Sequence, residues 1–95
     1  MPKSQKDAVL RLVELAAAVD GSAALSEQST LNLRHDTAGV QHFVVEDDGV
    51  VIAYAQVAPD GRGGPVHVEG LVHPEHRRRG VGDALRRTVQ ASTTG

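Results

Sequence analysis

The sequence predicts a small α/β (α+β) domain in which the order α–α–β–β–β–α surrounds a mainly antiparallel sheet. Three observations carry that expectation. Residues recur at helical spacing near both ends: Val9, Leu12, Val13, Ala16 and Ala17 at the start, and Val81, Ala84, Leu85, Thr88 and Val89 at the finish. Between them lie three runs of β-forming residues, two of them joined by an Asp-Gly pair. The 95 residues are 40% hydrophobic and 23% charged, the balance of one globular domain, residues 1–95, rather than of a disordered chain.

The first helix is predicted over roughly 5–19. Ser4 and Asp7 form a weak capping box at its start, and Gly21 is suited to the left-handed conformation that ends a helix. Ser26 is placed to cap a short second helix carrying Leu31 and Leu33, and residues 36–39 follow as a loop. Strands are predicted at 42–46 and 50–57, folded back on each other through Asp47-Asp48-Gly49. A Gly/Pro-rich, mobile loop at 59–65 leads to a third strand at 66–72, which His73-Pro74 closes because proline has no N–H for a sheet ladder. The last helix opens near Gly80, with Asp83 in its first turn and Arg86 and Arg87 later, both favourable to the helix dipole; the tail 91–95 should fray.

Composition narrows the chemistry. The chain has no cysteine, which excludes a disulfide framework, a thiolate zinc site and a cysteine nucleophile. Phe43 and Tyr54 are its only aromatic residues, so the core must be built from Val, Leu, Ile and Ala. No apolar run reaches the roughly 18–20 residues needed to span a bilayer, and Arg11 and Glu14 interrupt the longest one, so a cytoplasmic location without membrane contact is the expectation. His73 and His76 lie three apart without a third ligand nearby, so no metal site is expected.

Charge is distributed unevenly. Residues 1–74 carry five Lys/Arg against ten Asp/Glu, whereas residues 75–95 carry five arginines against two acids. That stretch is either a solvated helix face or the landing site of an anionic partner. The overall acidity and the lack of interleaved aromatics argue against nucleic acid as that partner.

The segment Arg77-Arg78-Arg79-Gly80-Val81-Gly82 stands between a strand and an amphipathic helix. The first N–H groups of a helix lack intrahelical partners, and glycines there allow a phosphate to approach the main chain. Consecutive arginines add charge and bidentate donors. No lysine follows the glycines as a P-loop requires, and Leu85 stands where a dinucleotide fingerprint needs its third glycine. The spacing Arg77-x-x-Gly80-x-Gly82, after a strand ending in His-Pro, resembles the acyl-CoA site of the GNAT N-acetyltransferases. Ala18–Gly21, Ser26-Glu27-Gln28, Ile52–Ala55 and Glu69–Pro74 extend the likeness, within that family, to the N-terminal domain of the mycothiol synthases.

The resemblance implies the N-terminal half of a GNAT fold and acetyl-CoA as cosubstrate. Gly70, Leu71 and Val72 would pair with the pantetheine arm, and Arg78, Arg79, Gly80, Val81, Gly82 and Asp83 would hold the pyrophosphate, with Arg77 opening the motif. Glu27 matches a position that contacts a thiol-bearing amine acceptor, the cysteinyl amine of desacetylmycothiol. The family's remaining strand, helix and hairpin, and the tyrosine that protonates the departing thiolate, would lie beyond Gly95. A second copy or a C-terminal domain would then complete the fold, and the chain would be either an acyltransferase domain or a non-catalytic acyl-CoA-binding half-domain.

Two acids keep two readings. Glu69 is the candidate general base, since an attacking amine must lose its proton, or it is a polar residue on the solvent face of a strand. Glu27 anchors substrate or is simply an acid in a first helical turn. His67 shares the face of Glu69 and reads as a surface histidine, and Tyr54 reads as packing within the sheet.

Overall fold

The computed structural model describes residues 2–59, 66–77 and 80–93 of the chain. Helix α1 is Lys3–Asp20 and α2 is Glu27–His35; strands β1 (Gln41–Asp47), β2 (Val50–Ala58) and β3 (His67–Val72) follow, then a short 3-10 turn Pro74–His76 and helix α3, Val81–Thr93. The three strands form one antiparallel sheet in the order β1-β2-β3. The order α–α–β–β–β–α read from the sequence is thus the order found.

Local chemistry accounts for most boundaries. Gly21 ends α1 at φ 74°, and its N–H donates to Ala17 O at 2.9 Å. Ser26 caps α2, its Oγ accepting the Ser29 N–H at 3.2 Å. Asp48 and Gly49 sit between β1 and β2 at φ 53° and 80°, the two positive values that a tight hairpin of matching twist requires.

Three expectations need correction. Helix α1 starts at Lys3 with Pro2 as its cap residue and no side-chain cap, so Ser4 lies inside the first turn. The Pro2 carbonyl accepts the Lys6 N–H at 2.9 Å, and the proline ring presets the approach to the helix without help from a hydroxyl. Of the stripe expected on α3, only Val81, Leu85 and Val89 pack on the sheet; Ala84 and Thr88 are exposed, because the three strands lie under one row of the helix. The helix also continues through Thr93 where fraying was expected. The loop predicted to be mobile at 59–65 falls, from 60 onward, outside the described residues, as do Arg78, Arg79 and residues 94–95.

Strand β2 is the centre of the domain and is buried from Val51 to Val57. Its alternating side chains feed two cores. Tyr54 joins Leu71 and Val9, Leu12, Ala16, Leu25 and Leu33 beneath α1 and α2. Ala53, Ala55 and Val57 meet Leu85 and Val89 of α3 on the opposite face. To the first face β2 contributes Tyr54; to the second it contributes only Ala53, Ala55 and Val57. Among the described residues no helix is long and apolar enough to cross a membrane.

Candidate functional site

A cavity of about 770 Å³ runs along the outer edge of β3. Val68, Gly70, Leu71 and Val72 form its floor, Ala16, Asp20, Ala23 and Ala24 one wall, and Gly82, Leu85, Arg86 and Val89 of α3 the other. Among the described residues no strand pairs with this edge. The direction of its main-chain groups follows from one bond. His73 N–H donates to Ile52 O at 2.7 Å, so residues 67, 69, 71 and 73 aim their N–H and C=O at β2. Residues 68, 70 and 72 therefore aim theirs at the cavity. Gly70 is also required by packing: a Cβ there would lie 3.1 Å from Tyr54 O and 3.3 Å from the Ala55 Cβ.

One end of the cavity meets the start of α3. Gly80 is at φ 77°, and its carbonyl accepts the Ala84 N–H at 3.0 Å, which makes it the helix cap. The N–H groups of Val81, Gly82 and Asp83 therefore precede the first intrahelical bond and carry the positive end of the dipole. A Cβ on Gly82 would reach only to 3.6 Å from Val72 Cγ2, an ordinary contact, so the bare main chain here is not demanded by packing. Arg77 forms a two-pronged ion pair with Asp20, at 2.9 and 2.8 Å, and its Nε donates to Val72 O at 3.4 Å. Each partner reinforces the other: the hydrogen bond and charge of Arg77 hold the Asp20 carboxyl below its usual range, and Asp20 raises Arg77. The pair ties the turn after β3 to the end of α1.

Glu69 lines a different, smaller cavity of about 370 Å³ beside α2, with His67, Ser26, Gln28 and Thr37. Its Oε1 accepts the Ser26 N–H at 2.8 Å. Burial pushes the carboxyl up, but the Ser26 N–H and hydroxyl, the Ser29 hydroxyl and the His67 charge together bring it below its ordinary value.

The profile of the acetyltransferase (GNAT) family matches residues 9–91. The chain belongs to that family. Relatives named mycothiol acetyltransferase are similar over most of it: one from Kineococcus radiotolerans is 47% identical over 95% of this chain, one from Stackebrandtia nassauensis 46% over 81%, and one from Streptomyces avermitilis 40% over 94%. The chain spans about 30% of the length of those relatives.

Within this GNAT domain the expected site residues do not all meet in one place. Gly70, Val72, Val81, Gly82 and Asp83 present main chain at or beside the larger cavity, with Gly80 as the cap that turns α3 toward it. Leu71 lies between two outward-facing residues, with its main chain turned to β2 and its side chain in the core. Arg77 is held by Asp20 rather than left open to a phosphate. Glu27 is exposed in the first turn of α2 and lines neither cavity. His73 accepts the Glu75 N–H on Nδ1 at 3.1 Å.

Sequence reasoning missed a buried polar chain. Gln56 is 1% exposed in the middle of β2, and its side chain bonds Asn32, Ser29 and Tyr54. The signal was present: a glutamine inside the apolar run 50–57 must find buried partners or cost the fold its desolvation.

Proposed function

We propose that this GNAT domain binds acetyl-CoA along the open edge of β3 and supports acetyl transfer to an amine, the acceptor being the cysteinyl amine of desacetylmycothiol. The observation that carries the reading is the meeting, in one cavity, of outward main-chain groups at Gly70 and Val72 with the unpartnered N–H groups at the start of α3. An extended amide-containing arm pairs with the former as an added strand would. A diphosphate is held by the latter, which Arg78 and Arg79 adjoin in sequence. The cavity volume lies within the roughly 300–1,000 Å³ of small-molecule sites.

The cosubstrate supplies an acetyl thioester. The acceptor nitrogen attacks its carbonyl, the C–N bond forms, the C–S bond breaks, and Glu69, whose side chain opens on the smaller cavity beside α2, takes the ammonium proton through water. Tyr54, the chain's single tyrosine, is 0% exposed with its hydroxyl engaged by Gln56 and His42, so it is not the group that protonates the departing thiolate. The depressed basicity of Glu69 favours a second reading, in which the domain holds acyl-CoA without turning it over and a further domain or second copy completes the chemistry.

Acetyl-CoA added above its dissociation constant should raise the melting temperature of the chain. An unchanged melt at saturating concentration refutes both readings. Release of free thiol on adding the cysteinyl-glucosaminyl-inositol acceptor separates them: release identifies an acetyltransferase, and a raised melt without release identifies a binder.

A further inference from the structure

The buried polar chain has a fixed direction, and that direction specifies the state of one histidine. Gln56 lies across from His42 on β1 and from Glu69 on β3, so all three share the face beneath α2. Its Nε2 lies 2.9 Å from the Ser29 carbonyl, an atom that can only accept, so the amide has one permissible orientation. Oε1 must then accept from Asn32 Nδ2 at 3.0 Å, and the second hydrogen on Nε2 points to the Tyr54 hydroxyl at 3.0 Å. Asn32 Oδ1 in turn accepts from Gln28 Nε2 at 3.0 Å. With the Tyr54 oxygen accepting from Gln56, its own hydrogen goes to the remaining neighbour, His42 Nδ1.

We infer that His42 is a positioning residue for the first turn of α2, effective only as the neutral Nε2–H tautomer, and that its protonation releases that turn from the sheet. A proton on Nδ1 would set a second donor against the Tyr54 hydroxyl. The phenol would then have to accept from both sides, its own hydrogen would lose its acceptor, and the strain would pass to Gln56 and to the Ser29 carbonyl. The turn moved in this way is the one whose Ser26 N–H is held by Glu69. Whatever the larger cavity binds, the inference stands on these bonds alone.

The surroundings of His42 agree in sign. Burial lowers its affinity for a proton, the amino-terminal charge and Lys6 on α1 lower it further, and Asp36 after α2 opposes them. Asp36 is partly neutralised by Lys6, 2.8 Å away. The ring of Tyr54 stacks on that of His42, with centroids 5.8 Å apart.

Nuclear magnetic resonance on the uniformly 15N-labelled wild-type chain tests this directly. Long-range proton–nitrogen correlations at neutral pH should show His42 as the Nε2–H tautomer. On acidification, His42 should titrate below its ordinary 6.5, and the side-chain amides of Gln56 and Asn32 and the main-chain amides of 26–29 should shift with the same midpoint. An Nδ1–H tautomer, or a His42 titration that leaves those amides unmoved, overturns the inference. In Tyr54→Phe the His42 titration should no longer reach the Gln56 and Asn32 amides; retained coupling would contradict the proposed chain. Should that variant not fold, the wild-type titration decides alone.

Discussion

The two faces of the sheet are stabilised in different ways. Beneath α1 and α2, large side chains surround Tyr54, and directional bonds from Gln56, Asn32, Tyr54 and Glu69 fix where α2 begins. Beneath α3, Ala53, Ala55 and Val57 meet Leu85 and Val89, with Phe43 and Val45 of β1 packed beside them and no buried polar side chain among them. Small residues leave space at the edge, and the space is where main-chain groups of β3 and α3 converge. One face is specified by hydrogen bonding and the other is left open to be filled. A ligand that supplies its own amides and phosphates suits the second and would be excluded from the first.

Substitutions that break this contrast should differ in size and in kind. The largest effect belongs to the directional face. Gln56→Leu removes the centre of the chain: Asn32 Nδ2 loses its acceptor, and Ser29 O and the Tyr54 hydroxyl each lose one bond, the hydroxyl keeping His42, for a loss of about 3 kcal/mol at the usual cost of buried polar groups. Urea unfolding should report it, with amide exchange fastest in α2.

Gly70→Ala comes next. Its Cβ would press on Tyr54 O and Ala55 Cβ at 3.1 and 3.3 Å, and main chain cannot yield as a side-chain tip can. A loss of about 1–3 kcal/mol is expected from such overpacking, read as a lower urea midpoint. Gly82→Asp should leave that midpoint unchanged, since a Cβ there meets only an ordinary contact, yet weaken acetyl-CoA at least tenfold in a calorimetric titration by bringing a carboxylate to the start of α3. Equal losses of stability and affinity in both glycine variants would erase the distinction between packing and binding positions.

Acid should act on the directional face in two stages. The folded chain disfavours a proton on His42, so its contribution is complete above about pH 6.5 and is lost as pH falls through the lower folded value. The Glu69 carboxyl is depressed as well, so its contribution is complete above about pH 4.5 and lost below. Stability measured against pH should therefore decline first from the His42 window and again from the Glu69 window. The smallest effect is expected from Arg77→Gln, because the ion pair with Asp20 is exposed on both sides and water replaces it at little cost. Its melting curve should nearly overlay that of the wild type.

How much of this was legible in the sequence follows from the range of the interactions. Helix ends and the hairpin depend on neighbours within four residues, so Gly21, Ser26 and Asp48-Gly49 announced themselves. The strand–turn–helix bearing Gly80 and Gly82 was legible for the same reason. Contacts between distant segments were not. Arg77 and Asp20 are 57 positions apart, and a Gly-rich motif gives no hint that its leading arginine faces the end of α1. Glu69 and Ser26 are 43 apart, which is why an acid assigned to chemistry or to solvent was not also read as a clamp on a helix start. The exposed Ala84 and Thr88 show the same limit: period 3.6 gives a stripe, while the width of the sheet decides how much of it is covered.

The most direct measurement is the map of main-chain amide shifts on adding acetyl-CoA to the 15N-labelled chain. The account predicts that Gly70, Val72 and Val81–Asp83 move together and saturably, while Tyr54, Gln56 and Asn32 stay in place. Shifts confined to the α2 face, or none at the β3 edge and the start of α3, would contradict it.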